Sequence, residues 1–271
     1  MFASIIIPTY KDIVALKLIL EALEYQTYKK FEVIIAEDDD SKEVQEMLKN
    51  YDSKYKIRHF SHKNSGNRKA IIMNKALSHA NGEYIIFIDG DTIPYSTFIE
   101  SHILLSEKKI VLCGRRVNLG DKVSRELRER KISAKSIEDN YIKFYNYIRS
   151  DNSRHYEQGI RLHSQSLLYK LVNITSKNLH ILASNFSCFK EEIFAVNGFD
   201  EDLPYAPNRD DTDLEWRMIA NGCKMKSCKY TANLLHLNHS RINREEEGNI
   251  NLELINEKKV RNEYVAKKGI V

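Results

Sequence analysis

Four short segments of this chain carry side chains that could take part in chemistry, and the first is Asp89-Gly90-Asp91. It directly follows an apolar stretch. The glycine lets the backbone turn, so both carboxylates can face one hard cation such as Mg²⁺ or Mn²⁺, which proteins commonly hold together with substrate phosphates. A polar turn that caps a helix starting near Pro94 explains the segment equally well.

The second segment is the acidic run Glu37-Asp38-Asp39-Asp40, which follows an apolar stretch at residues 31–36. Four adjacent carboxylates repel one another, and this favours a functional role for the segment. They could accept hydrogen bonds from the base and ribose of a nucleotide. The alternative is a solvated cap before the helix-like residues 41–50.

The third segment, Asp210-Asp211-Thr212-Asp213, opens a predicted helix that ends at Asn221-Gly222. The helix dipole favours acids in a first turn, which is a sufficient structural explanation. A helix N-terminus also holds a carboxylate rigidly, as a general base requires.

The fourth segment contains His236 and His239, which are either structural or supply a nitrogen ligand to the same cation.

Alternating strands and helices are predicted over the first hundred residues. Predicted strands cover residues 4–7, 31–36, 57–61 and 84–88, and between them lie helix-like residues 13–23, 41–50 and 70–80. Strands that are apolar throughout, alternating with amphipathic helices, indicate an α/β fold with a mainly parallel sheet covered on both faces. Ligands of such sheets bind beyond the carboxyl ends of the strands, where both acidic segments of this half fall.

After a strand at residues 110–113 the pattern changes. Nine of the fifteen residues 121–135 are charged, and no strand pattern returns until about His180, so we expect a helical, partly mobile insertion. A regular pattern of apolar residues resumes over residues 182–237, with a predicted helix at residues 191–196 and a turn at Asn197-Gly198. Residues 251–268 are predicted to form a further charged helix.

Composition excludes several classes of protein. The chain has 271 residues with 42% apolar and 30% charged side chains, so it is neither disordered nor a disulfide scaffold. The net charge of +4 is too small to indicate a nucleic-acid partner. The four cysteines lack paired spacing and are expected to be reduced. Without a basic leader or a long apolar span, we expect a cytoplasmic protein.

Taken in this order, the segments resemble the inverting family 2 glycosyltransferases of the GT-A fold over residues 3–115 and 180–241. In that resemblance, Pro8-Thr9-Tyr10 corresponds to a nucleotide-contacting loop, and one of the acids Glu37, Asp38 and Asp39 holds the uracil, with Asp38 and Asp39 both open. Residues 66–74, with Arg68 and Lys69, correspond to a helix start beside the diphosphate. Residues 82–91 correspond to the Asp-x-Asp metal motif, with Asp89 and Gly90 also touching the nucleotide.

The later half resembles the carboxy-terminal region of the β-1,4-galactosyltransferases. Asn197-Gly198-Phe199-Asp200 is similar to their Asn-Gly-Phe turn. The helix start at Asp210, with Arg217, is similar to their acidic helix, although Asp210 stands where glutamate is usual and residues 206–209 replace a Gly-Trp-Gly. The segment 236–241 resembles the one that supplies the third metal ligand, here His239.

The resemblance implies a metal-dependent transferase that moves a hexose or N-acetylhexosamine from a UDP-sugar to a hydroxyl of a glycan, glycolipid or glycoprotein. Asp89, Asp91 and His239 would hold Mn²⁺ or Mg²⁺. Asp211 would be the general base, with Asp210 the next choice. The implied organisation is one domain over residues 1–241, with a nucleotide-binding half (1–115), a helical insertion (116–179) and an acceptor half (180–241), followed by a helical extension (242–271).

Other functions stay open on the sequence. A non-catalytic nucleotide-sugar-binding or scaffold subunit would keep the same fold. A nucleotidyltransferase commonly has a basic, glycine-rich loop after its first strand, and a nicotinamide dehydrogenase needs Gly-x-Gly-x-x-Gly there; this chain has neither. The basic residues 122–135 indicate either peripheral contact with the inner face of a membrane or a solvated helix. The tail helix is the candidate contact of a homo-oligomer.

Overall fold

The computed structural model describes residues 1–63, 68–174, 179–205, 209–240 and 244–271. The predicted turn at residues 64–66, the start of the 66–74 segment, residues 206–208 and Arg241 lie outside these ranges. The strands are β1 (Ala3–Thr9), β2 (Phe31–Glu37), β3 (Lys56–Ser61), β4 (Tyr84–Phe87), β5 (Thr92–Pro94), β6 (Ile110–Cys113), β7 (Val117–Asn118), β8 (Phe186–Phe189), β9 (Lys224–Ser227) and β10 (Leu234–His236).

The helices alternate with the strands in the first half and dominate the middle of the chain. They are α1 (Ile13–Glu24), α2 (Lys42–Lys49), α3 (Lys69–Ser78), α4 (Phe98–Leu105), α5 (Asp121–Arg128), α6 (Ala134–Asp139), α7 (Tyr141–Ser150), α8 (Leu167–Ile174), α9 (Lys190–Ala195), α10 (Asp210–Ala220) and α11 (Glu245–Val260). Among the described residues, no helix combines the length and the apolar character that crossing a membrane requires.

A seven-stranded sheet forms the centre of the fold, in the order β3-β2-β1-β4-β8-β6-β9. Its neighbouring strands are parallel except β8, which runs antiparallel to both β4 and β6. Along β1, Ile5 and Ile7 join one apolar cluster with α1, whereas Ile6 joins another with α3. The sheet is therefore covered on both faces, and the predicted α/β architecture is confirmed.

Local signals fix the first helix as predicted. The carboxylate of Asp12 accepts a hydrogen bond from the backbone N–H of Ala15 at 3.0 Å, which satisfies one of the free donors at the start of α1. Leu16, Ile19 and Leu20 then repeat at helical spacing and are fully buried. Helix α1 consequently fixes the end of β1, which the sequence assigns to the nucleotide side.

The middle of the chain is helical, as predicted, and it packs firmly. Val123, Leu127, Ile137 and Ile148 are fully buried in the same cluster as α1. Any movement of α5–α7 would have to expose these side chains to water. One strand was not predicted here, because β7 has two residues and pairs with β10, far along the chain.

A second, small sheet in the order β5-β10-β7 corrects the expectation of a helix near Pro94. Pro94 ends β5, whose residues pair antiparallel with β10, and the next helix begins at Phe98. The partner strand is about 140 residues away in sequence, so no local pattern could reveal the pairing. This sheet joins the turn after β4 to the histidine segment after β10.

The tail helix also differs from the prediction, because α11 covers Glu245–Val260 rather than residues 251–268. Residues 261–271 are irregular and return to the turn after α9. The backbone N–H of Ala266 donates to the carbonyl of Val196 at 3.1 Å, and that of Ile270 donates to the carbonyl of Asn197 at 3.3 Å. The charged tail has little periodicity, which is why its helix bounds were misjudged.

A buried arginine holds α10 against the same turn. Arg217 is fully buried, and its Nε lies 2.7 Å from a carboxylate oxygen of Asp213 one helical turn earlier. Its Nη1 donates to the carbonyls of Val196 and Gly198 at 2.8 and 2.9 Å. The guanidinium therefore sets where the first turn of α10 lies relative to the sheet.

We expect Arg217→Met to lower the free energy of unfolding by about 3–5 kcal/mol, because it leaves the Asp213 carboxylate buried without its cation. Urea denaturation measures this change. The matched control is Arg261→Met at the C-terminal end of α11, where the exposed pair with Glu257 (3.7 Å) contributes little. Equal small losses in both variants would contradict a structural role for the buried pair.

Candidate active site

The first acidic motif lies at the carboxyl end of β4, in a turn pressed against β1. Ile88 is fully buried, and Asp89-Gly90-Asp91 then leads into β5. A Cβ at Gly90 would lie 2.3 Å from the carbonyl oxygen of Pro8, so a larger residue would push the two chain segments apart. The glycine thus allows the metal-type motif to sit beside the loop after β1.

Asp91 gathers two histidines around it. The Nε2 atoms of His236 and His239 lie 3.4 and 3.3 Å from the same carboxylate oxygen of Asp91. The other oxygen, Oδ1, is buried and has no hydrogen-bond partner within the described residues. Burial opposes ionisation of this carboxyl, but the bond to His236 and the charges of both histidines and Arg116 lower the pKa of Asp91.

These three side chains form a group that could hold a metal ion, since one ligand atom from each lies within 4.8 Å of the others. One carboxylate oxygen and two imidazole nitrogens suit a divalent transition metal better than Mg²⁺, which prefers oxygen ligands. The unpartnered Oδ1 of Asp91 is a further sign that the group is incomplete by itself. The donor set therefore fits a divalent cation.

Asp89, predicted as a ligand of the same ion, lies outside this group. Its two oxygens face cations of the protein, with Lys69 Nζ at 3.3 Å and Arg116 Nη1 at 3.6 Å. Arg116 was not predicted as a site residue. It follows β6 at the same edge of the sheet, and this position after a strand was the available signal.

The acids at the start of α10 are brought to the same place. Asp210 is buried, and one of its oxygens lies 3.6 Å from Lys69 Nζ. Burial raises the pKa of Asp210 to about 6, helped by the charges of Asp211 and Asp89 and opposed by Lys69. Burial likewise raises the pKa of Asp211, which is more accessible and accepts a hydrogen bond from the N–H of Thr212 at 2.8 Å.

Lys69 is the cation between the two acidic segments. It begins α3, and its side chain is only 16% exposed, although a lysine at a helix start would ordinarily be solvated. Burial disfavours its charge, but the charges of Asp89 and Asp210 outweigh this and raise the pKa of Lys69. Acids separated by about 120 residues in sequence thus share one buried ammonium group.

The predicted nucleotide side lies where β1 and β2 end. The backbone N–H of Asp38 donates to the carbonyl of Thr9 at 3.0 Å, which ties the two strand ends together. Tyr10 follows and is half exposed. Arg68 lies next to this edge, because its backbone N–H donates to a carboxylate oxygen of Asp38 at 3.4 Å.

The acidic run divides into a buried and an accessible part. Glu37 is fully buried, with its oxygens engaged by His59 Nε2 at 2.7 Å and by the N–H of Ser41 at 3.2 Å. Asp38 and Asp39 keep partial exposure. A ligand at this edge would therefore meet the second and third acids of the run, and Glu37 would act behind them.

The cysteines and the tryptophan lie away from the acidic motifs or behind them. All four cysteines, Cys113, Cys188, Cys223 and Cys228, are free and buried, as expected of reduced core thiols. Trp216 on α10 is only partly buried and donates its ring N–H to a carboxylate oxygen of Asp213 at 3.1 Å. It therefore supports the buried Asp213 rather than filling the core.

Comparison with known proteins identifies the family. Residues 4–183, well over half of the chain, match the family described as Glycosyl transferase family 2. This match ends before Asp210, Asp211, His236 and His239. A chondroitin synthase of Escherichia coli is 23% identical over 83% of this chain and 33% of its own length. The chain spans a third or less of the length of the first curated relatives that it matches.

Solved structures agree on the fold. The chain of S. aureus TarS 1–349 in complex with UDP-GlcNAc has a TM-score of 0.62 at 17% identity, covering 94% of this chain and 65% of that one. The mannosyltransferase PcManGT from Pyrobaculum calidifontis, in complex with GDP-Man and Mn²⁺, has a TM-score of 0.60 at 13% identity, covering 96% and 64%. The predicted GT-A fold is confirmed.

We expect Lys69→Met to lower the free energy of unfolding by about 3 kcal/mol at about pH 8, because it leaves buried Asp210 without the ammonium group that faces it and leaves Asp89 with Arg116 alone. Removing the ammonium group raises the pKa of Asp210 further, because Lys69 opposes that rise. An acid with a raised pKa in the folded state contributes stability at low pH that is lost as the pH rises through that pKa, so the loss should shrink at about pH 5.

Urea titrations at the two pH values measure this difference, and Lys75→Met on the exposed side of α3 is the matched control. Lys69→Arg should recover part of the stability because it restores a cation. A loss in Lys69→Met that is the same at both pH values would contradict the electrostatic role of Lys69.

Proposed function

Because the chain belongs to glycosyl transferase family 2, we propose that it transfers a sugar from a nucleotide-sugar donor to a hydroxyl group of an acceptor. The observation that carries this proposal is the meeting of two acidic motifs at Lys69, which lies 3.3 Å from Asp89 and 3.6 Å from Asp210. A divalent-metal group and a helix-start carboxylate beside one another are what such a transfer needs.

The donor is proposed to be a UDP-sugar carrying a hexose or N-acetylhexosamine. TarS, whose structure contains UDP-GlcNAc, supports this choice by its similar fold. Asp38 and Asp39 are the candidate acceptors for the N–H of a uracil, and the Pro8-Thr9-Tyr10 loop lies beside them. Both are partly exposed, and Asp38 already contacts His62 Nε2 at 2.6 Å. Arg68 and Lys69 would face the diphosphate from the start of α3.

Asp91, His236 and His239 would hold a divalent cation, and the mixed nitrogen and oxygen donors favour Mn²⁺ over Mg²⁺. When bound, the ion supplies positive charge that stabilises the diphosphate as it leaves. The sequence favoured His239 as the nitrogen ligand, and the structure adds His236 as a second candidate. Asp89 would reach the ion only by exchanging its contacts with Lys69 and Arg116.

Asp211 is proposed as the general base. Its carboxylate would accept the proton of the acceptor hydroxyl while the new C–O bond forms and the bond to the diphosphate breaks, which inverts the anomeric carbon. Asp211 is more accessible than Asp210, and Asp210 is turned towards Lys69. Asp210 would therefore set the local charge, and it remains the second candidate for the base.

The acceptor is proposed to be a growing glycan, free or linked to lipid or protein. The chondroitin synthase among the relatives supports a role in polysaccharide biosynthesis. Residues 1–115 would bind the nucleotide and residues 180–241 the acceptor. We propose in addition that residues 180–241 correspond to the carboxy-terminal region of the β-1,4-galactosyltransferases. A scaffold subunit is the competing function, and it would bind a nucleotide sugar without turnover.

We expect Mn²⁺ to bind the wild-type chain in titration calorimetry, and more tightly when UDP is present because the diphosphate adds ligands. Asp91→Asn and His239→Ala should weaken binding of Mn²⁺ alone at least about tenfold. Asp89→Asn should weaken it much less, since Asp89 lies outside the group.

The matched control is His163→Ala, which removes an exposed histidine far along the chain from the group. Circular dichroism verifies that each variant is folded. Unchanged Mn²⁺ affinity in His239→Ala would overturn the proposed site, as would equal losses in Asp89→Asn and Asp91→Asn.

We expect Asp211→Asn to lower the rate of sugar transfer by about 10²–10⁴, because the acceptor hydroxyl loses its proton acceptor. The assay follows release of UDP from a panel of UDP-sugars with Mn²⁺ and candidate glycans. Binding of UDP by this variant should stay near the wild-type value, since Asp211 does not belong to the nucleotide side.

Asp202→Asn, which removes a partly exposed acid ahead of α10, is the control and should leave transfer unchanged. If Asp211→Asn transfers sugar at the wild-type rate while Asp210→Asn does not, the base is Asp210. Full activity in both variants would contradict the mechanism, and UDP binding without turnover by the wild-type chain would favour the scaffold function.

A further inference from the structure

Helix α8 presents an apolar side that the described part of the chain leaves exposed. Leu167, Leu168 and Leu171 are 72%, 55% and 56% exposed, and we call these three side chains the leucine face. Single exposed apolar residues are common on protein surfaces, but three adjacent leucines on one short helix form a contiguous patch. The opposite side of α8 is anchored, because Tyr169 is buried and donates its hydroxyl to the carbonyl of Ser227 at 2.7 Å.

Two chain segments meet around this helix, and neither contains an acid. No Asp or Glu occurs between residues 158 and 189, which include α8, or between residues 216 and 244, which include the turn that Tyr169 contacts. The N–H of Leu162 donates to the carbonyl of Tyr230 at 2.6 Å and joins the two segments ahead of α8. The surroundings of the leucine face are therefore biased towards positive charge.

Two cations lie on or near α8. Lys170 is exposed on α8 next to Leu171, and Lys229 lies on the turn that Tyr169 contacts, with its Nζ 4.6 Å from the centre of the Tyr230 ring. Neither lysine has an ion pair within the described residues. The acids that other elements bring to these two segments are engaged there: Glu138 faces Arg161 at 3.9 Å, Glu107 faces Lys226 at 3.5 Å, and Glu215 contacts His180 at 2.9 Å.

The sequence offered the basic residues 122–135 as a membrane contact. In the structure, most of these side chains form ion pairs within the protein. Arg128 forms a double hydrogen bond with Asp12 at 2.8 Å, and Arg130 pairs with Glu21. Lys131 lies 2.6 Å from Glu129, and Lys135 pairs with Asp139. Four of the six cations of this segment are therefore neutralised within the protein, and the segment would attract an anionic surface less than the sequence indicated.

We propose that the leucine face of α8 docks the protein on a membrane surface that carries anionic lipids. A short helix with leucines on one side and lysines beside them lies in the plane of the interface, with the leucines among the acyl chains and the lysines at the headgroups. A second copy of this chain fits the face less well, since a symmetric contact would bring the Lys170 side chains of both copies close to each other. The proposal concerns attachment, and it stands apart from the chemistry of the transferase site.

The chain leads from α8 to the candidate active site, so docking of α8 on a membrane would have a functional consequence. After residues 175–178 the chain reaches His180 and Ile181, which bind the carboxylate of Glu215 on α10 at 2.9 and 2.6 Å. Helix α10 carries Asp210 and Asp211 in its first turn. Docking through α8 would hold α10 near the lipid surface, where an acceptor attached to a lipid is found.

The test is flotation of the full chain with vesicles of phosphatidylcholine mixed with phosphatidylglycerol, compared with vesicles of phosphatidylcholine alone. The wild-type chain should bind the anionic vesicles and lose binding as salt is added. The double variant Leu167→Asp with Leu171→Asp should lower the partition constant at least about tenfold. Lys170→Glu and Lys229→Glu should each lower it about fivefold or more.

Ile142→Asp is the matched control, because Ile142 is 74% exposed on α7 and lies outside the leucine face. It should bind like the wild type, and all variants should keep Mn²⁺ and UDP binding, which verifies folding separately. Equal binding by the wild type and the leucine variant would overturn the proposal. So would a wild-type dimer that the leucine variant dissociates without any vesicle binding, since the face would then belong to a second copy.

Discussion

Asp89, Asp91 and Asp210 lie at one edge of the central sheet, and their mutual repulsion has to be balanced by cations of the protein. Lys69 lies between Asp89 and Asp210, and the two histidines lie against Asp91. Asp89 and Asp210 thus share one cation, whereas Asp91 is balanced by the two histidines. This arrangement separates a group suited to a divalent cation, at Asp91, from the acidic first turn of α10, which carries the proposed base Asp211. The proposed reaction requires both parts.

The remaining structure serves to hold these charges in place. The small sheet of β5, β10 and β7 brings the histidine segment to Asp91. Gly90 lets the turn after β4 approach β1, and buried Arg217 fixes α10 against the turn after α9. These contacts join segments that are far apart in sequence. A change at any of them would move a carboxylate relative to its cation, so the site and the core cannot be altered independently.

The repeating β and α elements could be predicted because their signals are local. Asp12 caps α1, and the apolar stretches before residues 37 and 89 are buried strands. The small sheet could not be predicted, because strands of two or three residues have no periodicity and their partners are distant. The burial of Lys69 and the place of His236 beside Asp91 depend on those same distant pairings. The tail helix was misplaced because its charged sequence has little apolar pattern.

The central claim is that Asp91, His236 and His239 hold the metal that accompanies the donor diphosphate. Anomalous diffraction from crystals grown with Mn²⁺ and UDP tests it most directly. The account predicts one manganese peak in contact with the Asp91 carboxylate and with imidazole nitrogen, and with the diphosphate on its open side. UDP bound at the ends of β1 and β2 with no manganese at Asp91, or with manganese bound elsewhere, would contradict it.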